Sequence, residues 1–173
     1  GFDVDWGMFA ESSAFSIDFG ATWTDDFDIT PVADQPDEVN HCVGAFGNTC
    51  GEVRPEWKTS TRLTWMTGPL SLSVRHRYLS SVTDDQILIP RRLGKSGPDE
   101  RDFSEPVLAS QNYIDLAFLH AMNNYDISFH GGINNVTDQT PPITGRSQQQ
   151  ANTYPSTYDA LGREYFVAVT LAF

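Results

Sequence analysis

Apolar and polar residues alternate one for one along much of this chain, the period of a half-buried strand, and almost nothing recurs every three to four residues as an amphipathic helix requires. Helix is therefore a minor component at most. The clearest strand is the last: Tyr165, Val167, Val169, Leu171 and Phe173 share one face, and Glu164, Phe166, Ala168, Thr170 and Ala172 the other. Phe15, Ile17, Phe19, Ala21 and Trp23 alternate in the same way with small or polar neighbours. Residues 57–66 and 70–79 predict a hairpin around Thr67-Gly68. A second hairpin is predicted at Asn123-Asn124, a pair suited to the positive φ of a type I′ turn, joining Ile114, Leu116 and Phe118 to Tyr125, Ile127, Phe129 and Ile133. Phe2, Val4 and Trp6, alternating with Asp3 and Asp5, make a first strand.

Connections alternate as sharply as the strands. Short turns near 9–12, at 67–68 and at 123–124 are separated by long segments at 31–56, 81–110 and 135–162, all on one side. Connections of more than ~20 residues count against a compact soluble domain. They are normal in outer-membrane barrels, whose periplasmic turns are short and extracellular loops long.

Aromatic spacing supports lipid as the outer medium. Phe15 and Trp23, Trp57 and Trp65, and Tyr165 and Phe173 each stand eight residues apart on one strand face. Eight residues of tilted strand rise roughly 19 Å, close to the ~25 Å apolar band with aromatic girdles of such barrels. His76 and His120 fall on this outward face, with Thr59 and Thr61, and His76 calls for a bulge or a strand rising beyond the bilayer. The opposite face carries Arg62, Arg75, Arg77, Asp115, Asp126, His130 and Asn134, which belong in a wet interior. The expected fold class is all-β: an antiparallel transmembrane β-barrel of which these are about seven strands. Seven is odd and too few, and edges cannot face hydrocarbon, so further strands must close the barrel. An eighth strand within 81–110, at Gln86-Ile87-Leu88-Ile89-Pro90, is the alternative.

Composition sharpens this picture. The net charge of −12 leaves no basic patch for nucleic acid, and no apolar run reaches the ~20 residues of a spanning helix. Cys42 and Cys50, close together among Gly and Asn, suit a small disulfide-closed loop in an oxidising compartment; two free thiols are the other reading. The acidic run Asp25, Asp26, Asp28, Asp34, Asp37 and Glu38 is a solvated surface or, with less support, a calcium site at the rim. The chain opens without Met or a leader, so it is expected to be processed or truncated.

Several stretches carry a family resemblance. Gly132-Ile-Asn-Asn-Val-Thr-Asp138 with Pro141-Pro142, then Asn152-Thr-Tyr-Pro-Ser-Thr-Tyr158, Leu161-Gly-Arg-Glu-Tyr-Phe166 and the ending Leu171-Ala-Phe173 resemble the last strands and loop of TonB-dependent outer-membrane receptors. Cys42-Val-Gly44, Asn48-Thr-Cys-Gly51, Pro55-Glu-Trp57 and Arg62-Leu-Thr-Trp65 resemble an extracellular loop and descending strand of a proteobacterial subgroup. The resemblance covers roughly residues 13–173. It implies the C-terminal part of a roughly 22-stranded barrel in the bacterial outer membrane, with long loops extracellular and the C-terminus periplasmic. It also implies an N-terminal plug that contacts the TonB complex and lies outside this sequence. Val169, Leu171 and Phe173 resemble the signal read by the barrel-assembly machinery.

The implied activity is energised uptake of a scarce nutrient, a siderophore, oligosaccharide or similar ligand, with no cofactor, no metal and no catalytic residue. No phosphate loop, zinc-protease helix or nucleophile elbow is present. Lumen-facing Arg62, Arg75 and Arg77 are candidates to attract an anionic group on a ligand, together with Asp115, Asp126, His130 and Asn134. The competing reading pairs the arginines with Asp115, Asp126 or plug carboxylates, because buried charge needs a partner. A small autonomous barrel with a structural or adhesive role, and a soluble β-rich binding domain, stay open as alternatives.

Overall fold

A computed structural model describes residues 2–3, 13–32, 34, 37–122, 126–145 and 150–171. Seven strands form one antiparallel sheet in chain order: β1 (Phe2–Asp3), β2 (Ser13–Trp23), β3 (Trp57–Thr67), β4 (Leu70–Leu79), β5 (Gln111–Met122), β6 (Ile127–Asn134) and β7 (Glu164–Leu171). The predicted hairpin of 57–66 and 70–79 is met to within one residue. Its two-residue turn starts on Gly68 at φ 53°, the positive angle that glycine adopts without strain. The turns expected near 9–12 and at Asn123-Asn124, with Val4, Asp5, Trp6, Tyr125 and Phe173, lie outside the described residues.

Register keeps the two faces separate across the sheet. Ile17, Leu63, Val74, Leu116, Ile133 and Tyr165 form one row over six strands. Phe15, Trp65, Leu72, Phe118, Gly131 and Val167 form the next. A slip of one residue in any strand would turn its other face into both rows, bringing Arg62, Arg75 or Asp115 into the first from β3, β4 or β5 in one direction of slip. Pairing of β4 with β3 and β5 runs unbroken from Leu70 to Leu79, so the bulge anticipated at His76 is not there. His76 instead sits toward the long-loop end of the face, its Nε2 3.0 Å from Asn112 Oδ1. Thr61 faces it in register and Thr59 faces Tyr78, so the polar residues of this side gather where the apolar band stops.

Two adjacent glycines let rings lie over both faces of β6. A Cβ on Gly131 would meet the Phe118 ring at 3.0 Å, and one on Gly132 would meet Leu116 O at 2.2 Å and the Phe166 ring at 2.8 Å. Each glycine faces its ring's own residue in register. The aromatic side chains thus cover backbone that a larger residue would push away.

The long connections are not structureless, as the sequence pattern suggested, but fold together at one end of the sheet. Ala45–Phe46 pairs parallel with Val82–Asp84, which pairs antiparallel with Val107–Leu108. One core joins all three segments: Phe46 and Val53 from the first, Val82 and Leu108 from the second, Tyr154 and Tyr158 from the third. Phe46 meets Tyr154 edge-on, with ring centroids 6.2 Å apart. A second cluster surrounds the Cys42–Cys50 disulfide with Ala45, against which Phe27, Ile29, Leu88 and Ile89 pack.

The proposed eighth strand is a helix. Residues 86–90 lie within α1 (Asp85–Arg92), where Asp84 accepts the Gln86 N–H as N-cap and Arg91 and Arg92 occupy the last turn. Acid before and base after complement the helix dipole, a signal that outweighs the short apolar run. Among the described residues the sheet remains open, with β1 and β7 at its edges.

Candidate functional site

Two arginines of β4, Arg75 and Arg77, converge on Asp115, which β5 holds buried on the face opposite the apolar rows. Its Oδ2 accepts from Arg75 Nε at 2.8 Å and Arg77 Nε at 3.0 Å; its Oδ1 accepts from Arg77 Nη2 at 3.2 Å and from the Asn135 N–H at 2.9 Å. Arg77 also donates to both oxygens of Asp159, at 3.0 and 2.5 Å, and lies 4.9 Å from the centroid of the Tyr113 ring. One guanidinium thereby ties the third long loop to two strand residues. Such forked pairs fix geometry as well as charge.

Of the residues singled out in the sequence, Arg75, Arg77 and Asp115 form this one network, and the arginines are engaged within the chain. Arg62 faces both Asp18 and Arg75 in register, is exposed, and has no hydrogen bond or ion pair among the described residues. It lines a hollow of about 260 Å³ with Arg75, Asp115 and Asn134, and another of about 400 Å³ with His130. Arg75, Arg77 and Asn134 also line a third hollow, of about 590 Å³, with residues 150–162 of the folded loops, which together form a cap on the sheet. Asp126 stands apart, exposed at φ 51° before β6, and lines none of these. Val169 and Leu171 lie exposed on the apolar face.

Arg77's second partner, Asp159, was not legible in the sequence because no periodic pattern reaches into that loop. The same holds for Asp85, fully buried, whose Oδ2 accepts the N–H groups of Thr49 at 2.6 Å and Cys50 at 2.9 Å and so fastens the disulfide loop to α1. Gly47 makes room for this carboxylate: a Cβ there would sit 2.4 Å from it. Beside it, burial first and then the charges of Asp85 and Asp84 push the Tyr154 phenol up to about 12. The Tyr158 phenol is pushed higher still, again mainly by burial.

In the acidic run, Asp26, Asp28 and His41 bring ligand atoms within 4.8 Å of one another. All three are exposed, and Asp28 Oδ1 is instead 2.7 Å from His41 Nδ1, within hydrogen-bond distance. No family model matches the chain, and neither a curated protein nor a solved structure does.

Proposed function

We propose that this chain is the C-terminal part of the β-barrel of a TonB-dependent transporter, which takes up a scarce nutrient across the bacterial outer membrane. On this reading the apolar rows touch lipid and the Arg62 to Asn134 face lines an aqueous lumen. The folded loops stand outside the cell, and the strand ends of β6 and β7 away from them face the periplasm. Further strands complete the barrel, and a plug elsewhere in the protein answers to the TonB complex. The barrel-assembly machinery would read the end of β7. The residues do no covalent chemistry on the ligand; they admit and orient it.

One observation carries the proposal: an apolar face continuous over six strands that no described residue covers. Val167 is 77% exposed, Tyr165 69%, Phe19 69% and Ile17 67%. Soluble proteins rarely leave so large a contiguous patch in water, whereas barrels require it. The test uses the full-length protein in lipid vesicles, with a nitroxide attached at Val167→Cys or at Leu161→Cys in the cap. Oxygen, which partitions into hydrocarbon, should broaden the first signal, and a water-soluble nickel chelate the second. Nickel access at position 167, or a protein that stays in solution without detergent, overturns the assignment.

A further inference from the structure

The polar face of the sheet divides in two. Toward the loops, Arg75, Arg77, Asp115 and Asp159 answer one another. Beside and below them, Arg62, Thr64, Ser71, Ser73 and His130 make no side-chain hydrogen bond or ion pair among the described residues, and all five line the same hollow of about 400 Å³. That volume falls within the ~300–1,000 Å³ of small-ligand sites. Register explains the depth: Thr64, Ser73, Ala117, Gly132 and Phe166 follow one another from β3 to β7, so the middle of the row carries almost no side chain, and the Phe166 ring stands at its end over Gly132. The hollow of about 260 Å³ shares Arg62, Ser73, Ala117 and Phe166 with it, so the two adjoin as one trough.

The chemistry of the walls narrows the class of ligand. No carboxylate lines the larger hollow. Asp115, in the smaller one, already accepts from Arg75, Arg77 and the Asn135 N–H. Asp18 faces Arg62 in register but lines neither hollow and forms no ion pair with it. The Arg62 guanidinium therefore offers its fork of N–H groups to the trough, in the geometry that matches the two oxygens of a carboxylate. Hydroxyls of Thr64, Ser71 and Ser73 both donate and accept, and the His130 imidazole carries an N–H in either charge state. Phe166, exposed on this polar side, presents the negative face of its ring to the C–H bonds of a saturated ring. A neutral alcohol leaves the guanidinium unmatched, and a simple anion leaves the hydroxyls and the aromatic ring unused.

We propose that this trough binds an acidic sugar, a hydroxylated ring that bears a carboxylate, with the carboxylate on Arg62 and the ring toward Phe166. The inference deepens the uptake reading by naming a class of ligand, and for its role in transport it rests on that reading; the binding itself does not.

Calorimetry on the purified full-length protein, titrated in turn with glucuronate, glucose and acetate, tests it. Glucuronate should bind, and glucose and acetate should each bind at least about tenfold more weakly, because each holds only one part of the matching chemistry. Arg62→Gln, at an exposed position where folding is not at stake, should weaken glucuronate binding about ten- to hundredfold, the effect of losing one charge-assisted pair, and bring it level with glucose. No binding of glucuronate, binding of glucose or acetate as tight as that of glucuronate, or an unaffected Arg62→Gln variant would overturn the proposal. A nitroxide result that puts position 167 in lipid, found together with silent titrations, removes this inference and leaves the transporter reading standing. Nickel access at position 167 with glucuronate binding intact does the reverse.

Discussion

Phe46 and Tyr154 in the cap are each 1% exposed, whereas Val167 and Ile17 on the sheet are 77% and 67% exposed, although all four are large apolar or aromatic residues. The cap behaves as water-soluble protein does: side chains from three loops surround one another, and a buried disulfide closes the second cluster. The sheet needs no such core to hold its shape. Each strand satisfies its backbone through its neighbours, and its apolar face is left for some other medium to cover. Burial in the cap is thus internal, whereas the apolar face of the sheet is left uncovered among the described residues. This separation is what the uptake reading demands, and it can be broken from either side.

The largest effect is expected inside the cap. Phe46→Ala empties a site shared by residues of all three loops and should cost about 3–5 kcal/mol, measured by denaturant unfolding of the full-length protein. Amide hydrogen exchange should rise in residues 40–56, 80–108 and 150–160 and stay unchanged in β3–β6. Exchange that rises equally in the strands would make cap and sheet one cooperative unit, and the contrast would fail. Next in size is Val74→Arg, which puts a charge between Leu63 and Leu116 in the middle of the apolar rows. In a bilayer it should cost ~2–4 kcal/mol near the midplane; in water an exposed substitution of this kind stays within about 0.5 kcal/mol. Urea titration of protein folded into vesicles separates the two.

What could be foreseen follows the same division. Strands announce themselves by a period of two, so β2, β3, β4 and the shared parity of Leu63, Val74 and Leu116 were legible from residue type alone. The charged face was legible for the same reason, and with it Arg75, Arg77 and Asp115 as one group. The cap has no period. Its helix was hidden in an apolar stretch, Ile87 to Ile89, short enough to be read as a strand, and the deciding signals were the flanking Asp84-Asp85 and Arg91-Arg92 rather than the run itself. Asp159 and Asp85 matter through contacts that span 82 and 36 positions of chain, to Arg77 and Thr49, which no local pattern encodes. Of the two readings offered for His76, a bulge or a strand rising beyond the bilayer, the unbroken pairing of β4 excludes the bulge.

The smallest expected effect is alkaline, and it should find the cap alone. The Tyr154 phenol is raised to about 12, chiefly by burial, with Asp85 and Asp84 adding to it, and Tyr158 moves the same way. A phenol whose folded value lies above the ordinary ~10 is held protonated by the native state. The unfolded chain loses that proton first, so stability is complete below pH ~10 and declines as pH rises from there toward 12, by about 1 kcal/mol per buried phenol for each pH unit. Phenolate absorbance should therefore lag behind that of free tyrosine and then rise together with faster exchange in residues 150–160. The strand signal in circular dichroism should persist through the same range, because neither tyrosine belongs to the sheet. Simultaneous loss of both signals would mean that the sheet depends on the cap for its fold, and that its exposed apolar rows are not stabilised from outside.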